Sequence, residues 1–215
     1  DNSNIIIIEK KNEVYITVNC DSGVQREISE FFTFYVPGYK FMPAFRNRMW
    51  DGKIRLFSQK TKEIYFGLYP YIKAFAEERG YNIVAGKDID IDNKVDKEVV
   101  TKFSNSLGQK FEARDYQIDA IFHSLKRNRA LLLSPTASGK SFIIYSLIRY
   151  YTHLIKEQQN NRILLIVPTT SLVEQMYTDF ESYGWNVKKY CHRLYSGYSN
   201  QTDKKVLIST WQSLY

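Results

Sequence analysis

Residues 134–141, SPTASGKS, combine residue types that suit the phosphates of a nucleotide. They lie between two apolar runs, in the strand, loop and helix order that a phosphate-binding loop requires. In such a loop the backbone N–H groups and the start of the helix surround the phosphates, Lys140 reaches the β and γ oxygens, and the Ser141 hydroxyl holds Mg²⁺. Lys140 and Ser141 are therefore the catalytic candidates. The predicted phosphate-loop residues are Thr136, Ala137, Ser138, Gly139, Lys140 and Ser141.

One position departs from the usual loop pattern. Ser134 stands where the pattern has a glycine, whereas Gly139, directly before the lysine, is retained. The plain alternative is a chance SGKS in a polar loop, which the flanking apolar runs disfavour. We therefore predict a working nucleotide site.

A glutamine N-terminal to the loop indicates which base the nucleotide carries. The segment ARDYQIDAI, residues 113–121, supplies Arg114, Tyr116 and Gln117. A glutamine amide offers both a donor and an acceptor, which match the N6 and N7 edge of adenine. The predicted cofactors are thus ATP and Mg²⁺.

The order of the motifs resembles the first motor domain of superfamily 2 helicases. The segments LLIVPTTSLVEQM (164–176) and VLISTWQSL (206–214) correspond to motifs Ia and Ib, and loss of the first loop glycine is commonplace in that superfamily. In addition, residues 38–57 and 65–81 resemble the N-terminal domain of the UvsW-type helicases of tailed phages. The resemblance covers most of the chain.

This resemblance implies an ATP-dependent remodeller of branched DNA that acts in recombination, repair or replication restart in the cytoplasm of a bacterial host. It places motif Ia and motif Ib on the DNA backbone, where short hydroxyl side chains suit sequence-independent phosphate contacts. A simple helix cap after Pro168 and an ordinary strand end before Trp211 are the alternatives. The implied DNA contacts are Pro168, Thr169, Thr170, Ser209, Thr210 and Trp211.

A basic and aromatic stretch in the first part of the chain is a second DNA-binding candidate. Residues 40–62 hold seven basic side chains against one acid, Asp51, with aromatic residues between them. This composition is typical of sequence-independent DNA binding. The alternative is that Trp50 and Phe57 fill a small core while the charges are solvated, and for Trp50 we favour the core. The candidate phosphate contacts are Arg46, Arg48, Lys53 and Arg55.

The elements that must position these residues fall into three sections. Residues 1–85 predict a small α+β nucleic-acid-binding domain, with strands in NIIII, EVYITVNC, KIRLF, EIYFG and YNIVA and a turn in SQKTK between the third and fourth of these. A first helix is predicted to be capped at Asp21 or Ser22 and ended by Pro37 and Gly38, and a second, LYPYIKAFAEER, to end at Gly80. Residues 86–110 predict a connector with a short amphipathic helix. Residues 111–215 alternate helix and strand, with buried strands in ALLLS and RILLIVP and further strand candidates in NVKKYC and KVLIST, which is typical of a doubly wound parallel α/β sheet. We interpret this section as the N-terminal part of a RecA-like motor domain.

The composition of the chain constrains its partners and its compartment. The 215 residues carry a net charge of +7, which permits a polyanionic partner. No apolar run reaches the roughly 18 residues that a membrane span needs, so we expect no membrane partner. Two distant cysteines favour a reducing compartment over a disulfide framework. We expect a monomer.

Some activities need more than these residues. No Asp-Glu box follows motif Ib, so we expect this stretch alone not to hydrolyse ATP appreciably. The alternatives that stay open are the translocating subunit of a restriction enzyme, a non-hydrolytic DNA-binding module with a vestigial motor, and a kinase with a lid. A kinase would leave ARDYQ and VPTTSLVEQ without a role.

Overall fold

A computed structural model describes residues 4–89, 92–135, 138–158 and 160–214. The chain divides into two compact units, Asp1–Ile91 and Asp92–Tyr215. The first unit contains a four-stranded and a two-stranded sheet, the second unit contains a three-stranded sheet, and each unit has a hydrophobic core.

A four-stranded mixed sheet organises the first unit, in the order β5-β2-β1-β6. The first two strands form an antiparallel hairpin, and the last strand runs parallel to β1. Alternate residues of β1 and β2 point into the core, so that Ile6, Ile8, Ile16 and Val18 are fully buried. The strands are β1 (Ile5–Lys10), β2 (Tyr15–Asn19), β5 (Glu63–Tyr65) and β6 (Asn82–Ala85).

Two helices cover this core. Helix α1 (Ser22–Phe31) begins at Asp21, whose carboxylate accepts the backbone N–H of Gly23 at 2.8 Å. Helix α3 (Tyr69–Arg79) buries Phe75 completely and ends at Gly80, which has a φ of 72°. The sequence predicted both helix ends of α3 and the cap of α1.

A separate two-stranded sheet carries the basic stretch. Strands β3 (Thr33–Tyr35) and β4 (Lys53–Arg55) pair antiparallel, and residues 36–52 leave the sheet between them, including the short helix α2 (Pro43–Arg46). The sequence predicted that α1 continues to Pro37, which was wrong, because the helix ends at Phe31 and Thr33–Tyr35 form β3. The strands predicted in KIRLF and EIYFG are present, and a bridge between Ser58 and Glu63 closes the turn between them, but β4 pairs with β3 and β5 pairs with β2.

A three-stranded parallel sheet organises the second unit, in the order β7-β9-β8. Helices α6 and α7 bury their apolar faces in the same core as the sheet, around Phe142, Tyr145 and Phe180. The strands are β7 (Ile163–Val167), β8 (Cys191–Leu194) and β9 (Val206–Thr210). The helices are α4 (Lys97–Asn105), α5 (Asp115–Arg127), α6 (Lys140–Leu154), α7 (Thr170–Ser182) and α8 (Val187–Tyr190).

The run ALLLS is not a strand, contrary to the prediction. Residues 130–135 have no regular secondary structure, and Leu131 and Leu133 are 83% and 89% exposed. A strand needs a hydrogen-bonded neighbour, and within the described residues β7 pairs with β9 alone. The apolar composition of ALLLS favours burial but does not provide a neighbouring strand. The strand predicted in NVKKYC also differs, because residues 187–190 form α8 before β8 begins.

The predicted connector contains part of the second unit. The short amphipathic helix predicted here is present as α4, which is capped by Asp96, and Val100 is buried in a cluster with Ile121 of α5 and Ile143 of α6. Residues from 92 onwards therefore belong with the α/β unit. No helix in the described ranges has the length and apolar character to cross a membrane.

We expect the thiol of Cys191 to be unreactive in the folded chain. Cys191 is buried, and burial raises the pKa of its thiol from 9.0 to about 12. Because the thiolate is the reactive form, modification in the folded state should be slower by about a thousandfold than in the unfolded state. Timed labelling of a Cys20→Ser variant at pH 8 with a thiol reagent, with and without denaturant, measures this ratio. Equal rates in the two conditions would contradict the burial of Cys191.

Candidate functional site

The start of α5 contacts the predicted phosphate-binding loop directly. The Tyr116 hydroxyl donates to the Ser138 carbonyl oxygen at 2.9 Å, and Arg114 Nη1 donates to the Tyr116 hydroxyl at 3.1 Å. Residues that lie 22 positions apart in the sequence are thus joined at one place. The glutamine segment and the loop, which the sequence treated as two motifs, form one site.

The Gln117 side chain sits between α5 and the loop. It is 5% exposed, its Oε1 accepts the backbone N–H of Arg114 at 3.0 Å, and its Nε2 lies 3.4 Å from the carbonyl oxygens of Ser138 and Gly139. The amide therefore already has partners at both ends. An adenine contact through Gln117 would exchange these two long hydrogen bonds for bonds to the base.

Gly139 ends the loop in a conformation that favours glycine. Its φ is 74°, and a Cβ at this position would lie 2.4 Å from Gln117 Nε2. Helix α6 begins at the next residue, so its unpaired N–H groups open towards the loop. Lys140 is exposed there, and no described acidic side chain forms an ion pair with it. This arrangement is suited to an anion.

Ser141, the expected Mg²⁺ ligand, has a partner that the sequence did not suggest. Its Oγ lies 2.8 Å from the hydroxyl oxygen of Tyr183, at the end of α7. Thr136 and Ala137 lie outside the described residues. Within the described residues no group of three or more His, Cys, Asp or Glu side chains could hold a metal ion.

The motif Ia residues are exposed and lie at the junction between the end of β7 and the start of α7. Thr169 is the N-cap of α7, and its Oγ1 accepts the backbone N–H of Leu172 at 3.3 Å. Pro168 and Thr170 beside it are also exposed. The helix-cap alternative therefore holds, and the capped end still presents backbone N–H groups to a phosphate.

Two of the motif Ib residues predicted to contact DNA are buried. Ser209 is fully buried and Thr210 is 4% exposed. Ser209 Oγ donates to the Leu194 carbonyl oxygen at 2.8 Å, and Thr210 Oγ1 lies 2.9 Å from Ser213 Oγ. These hydroxyls already have partners inside the unit, so their side chains are not available to DNA phosphates. Trp211 is 55% exposed and stays a candidate.

An ionic cluster that the sequence did not reveal joins α7 to the end of β8. Glu174 accepts hydrogen bonds from the Tyr195 hydroxyl and from Arg193 Nη1, each at 2.6 Å. The hydrogen bond from Tyr195, followed by that from Arg193, holds the pKa of Glu174 below its usual value. The Arg193 guanidinium also lies 4.2 Å from the centre of the Tyr177 ring. The cluster holds the loop after β8 against the helix that starts at motif Ia.

The basic stretch divides into paired and unpaired groups. Arg55 donates to Asp51 at 2.5 Å, and this hydrogen bond lowers the pKa of Asp51. Lys53 lies 4.8 Å from the centre of the Tyr35 ring. Arg46 and Arg48 are exposed, and neither has an ion-pair partner among the described residues. Of the four predicted phosphate contacts, these two are the most available.

The prediction that Trp50 belongs to the core of the first unit was wrong, because the core cluster does not contain it. Phe57 does belong to that cluster and is 2% exposed. Trp50 is half-buried, and its indole N–H donates to the Lys53 carbonyl oxygen at 2.9 Å, which ties residues 36–52 to β4. Phe41 and Met49 in the same stretch are 84% and 80% exposed. The stretch therefore presents apolar side chains beside free arginines.

Two known families match the chain in succession. Residues 6–86 match the family described as DNA helicase UvsW, N-terminal, and residues 110–215 match the family described as type III restriction enzyme, res subunit. The boundary between the matches falls close to that between the two compact units.

Individual relatives agree with this result. The ATP-dependent DNA helicase uvsW of Enterobacteria phage T4 is 32% identical over 209 residues, which are 93% of this chain and 41% of the relative. The crystal structure of the UvsW helicase from bacteriophage T4 superimposes with a TM-score of 0.82 at 31% identity, over 97% of this chain and 76% of that one. A second T4 UvsW crystal structure gives a TM-score of 0.83 at 32% identity, over 97% of this chain and 43% of that one.

The chain thus spans about two-fifths of the length of the curated T4 relative. These matches confirm the predicted fold, a small N-terminal α+β domain followed by a partial RecA-like domain with a parallel sheet. The chain belongs to the UvsW family of DNA helicases.

Proposed function

We propose that this chain forms the nucleotide-binding and DNA-binding part of an ATP-dependent DNA helicase. The observation that carries the proposal is the attachment of Tyr116 and Gln117 to the carbonyl groups of Ser138 and Gly139, directly before the start of α6. This attachment supports a preformed phosphate site with an adenine-reading segment beside it. The 32% identity to a protein named as an ATP-dependent DNA helicase supports the same reading.

At this site the chain's own groups have distinct roles. The N–H groups at the start of α6 and the Lys140 ammonium bind the phosphate oxygens, and the Ser141 hydroxyl is the protein ligand for Mg²⁺. When bound, Mg²⁺ neutralises charge on the β and γ phosphates. Arg114 and Gln117 lie at the adenine end. The nucleotide-binding set is thus Arg114, Tyr116, Gln117, Ser138, Gly139, Lys140 and Ser141, with Thr136 and Ala137 proposed from sequence.

The DNA contacts are proposed on each unit separately. In the first unit Arg46 and Arg48 are exposed and unpaired within the described part of the chain, which favours phosphate contacts. In the second unit the capped start of α7 offers backbone N–H groups and the hydroxyls of Thr169 and Thr170. None of these groups reads a base edge, so binding should be independent of sequence.

Branched DNA is the proposed substrate, in recombination, repair or replication restart within the host cytoplasm, with a monomer as the acting form. Phe41 and Met49 support this choice, because exposed apolar side chains next to arginines stack on or wedge between bases where strands separate. The restriction-enzyme alternative rests on a match to the motor section only. Residues 6–86 favour the helicase.

Lys140→Ala tests the nucleotide site. Hydrogen bonds to charged groups contribute about 1.5–3 kcal/mol, so the variant should bind ATP about 10- to 100-fold more weakly. In a full-length protein it should lose ATP-dependent unwinding while DNA binding without nucleotide changes little. Lys156→Ala, an exposed lysine after α6, is the matched control. Normal ATP turnover by the Lys140 variant would show that the site is assigned wrongly.

The double variant Arg46→Ala/Arg48→Ala tests the DNA surface. Each lost phosphate contact should remove about 0.9 from the slope of log affinity against log salt, so the slope should flatten by up to about two units. Affinity for unrelated sequences should fall alike. Titrations of fluorescent branched DNA at several salt concentrations measure both effects.

The control for this experiment is Arg26→Ala/Lys87→Ala, which removes the same charge from exposed positions of the same unit. If both double variants changed the slope equally, the effect would reflect net charge alone. An unchanged slope in the arginine variant would remove these residues from the interface.

A further inference from the structure

Tyr183 is held in place next to Ser141 by the end of α7. It is the C-cap residue of that helix, and Gly184 after it has a φ of 89°, which turns the chain out of the helix. The Tyr183 ring packs against three aromatic rings, with centroid distances of 6.0 Å to Phe111, 5.6 Å to Phe142 and 5.1 Å to Tyr145. The ring therefore has little freedom, and its hydroxyl is fixed 2.8 Å from Ser141 Oγ.

The hydrogen bond between the two hydroxyls has the normal length for an O–H···O bond, and either oxygen could donate in it. A serine hydroxyl that binds a cation uses an oxygen lone pair for the cation, so its O–H group must donate a hydrogen bond to a separate acceptor. The cation also makes the O–H group a stronger donor. Among the described residues, Tyr183 places a hydroxyl within reach of Ser141 Oγ that can accept this hydrogen bond.

Resting on the nucleotide site proposed above, we infer that Tyr183 is a positioning residue for Mg²⁺. Its hydroxyl would accept a hydrogen bond from the Ser141 O–H group and so leave a Ser141 lone pair for the cation that accompanies the nucleotide. Such partners of ligand side chains commonly affect metal affinity by about 10- to 100-fold. Tyr183 touches neither the nucleotide nor the cation in this arrangement, so it acts through Ser141 alone.

Tyr183→Phe tests this role, since it keeps the ring and its aromatic contacts. Calorimetric titration of the chain with ADP should show about tenfold weaker binding when Mg²⁺ is in excess, and unchanged binding in EDTA. Tyr190→Phe is the matched control, because that ring stacks on Trp185 at 5.3 Å, away from Ser141. Thermal melting of each variant checks that the fold is intact.

A double-mutant cycle adds a second readout. In a Ser141→Ala background, Tyr183→Phe should cause no further loss of Mg²⁺-dependent ADP binding, since the two residues act as one unit. Additive losses would overturn the inference, as would an equal loss with and without Mg²⁺. Tighter Mg²⁺-dependent binding by Tyr183→Phe would also overturn it, because Tyr183 would then compete with the cation. If the unaltered chain bound ADP in neither condition, the nucleotide site itself would be refuted.

Discussion

The hydrogen bonds from Tyr116 and Gln117 to the carbonyl groups of Ser138 and Gly139 are the contacts on which the candidate site depends. A phosphate-binding loop must turn its N–H groups towards the ligand, so its carbonyl groups need partners on the other side. Helix α5 supplies those partners. It packs on α6, so the same helix that could approach adenine also fixes the loop that would hold the phosphates. Gly139 fits this arrangement because the space that a Cβ would need is filled by the Gln117 amide.

The parallel sheet explains where the remaining groups of the second unit lie. The carboxyl ends of β7, β8 and β9 fall at one edge, as they must in a parallel sheet, and motif Ia and the Glu174 cluster lie in the segments that follow β7 and β8. The buried hydroxyls of Ser209 and Thr210 support this edge from inside and do not face a ligand. In the second unit, the exposed motif Ia residues and Trp211 thus stay candidates for DNA contacts, whereas the Ser209 and Thr210 hydroxyls bond within the unit. Short polar residues in a helicase motif can either contact DNA or stabilise the fold from inside. The burial of the side chain distinguishes these two roles.

The sequence predicted most local features, because these depend on neighbouring residues. The cap of α1, the glycine end of α3 and the start of α6 after Gly139 follow from residues within one turn. Strand pairing was predicted less well. Whether β4 joins β3 or β5 depends on contacts between distant residues, and the run ALLLS lacks a paired neighbour in the described part of the chain. For the same reason the Tyr183 contact with Ser141, which spans 42 positions, left no signal in the sequence.

We propose that residues 114–117 and 138–141 form one site for a nucleotide with its cation. A crystal structure of the chain soaked with ADP and Mn²⁺ would test it most directly, because anomalous scattering locates Mn²⁺ independently of the protein density. We expect the phosphates at the start of α6, the cation against the Ser141 hydroxyl and the base near Gln117. A nucleotide bound elsewhere, or a cation coordinated away from Ser141, would contradict the account.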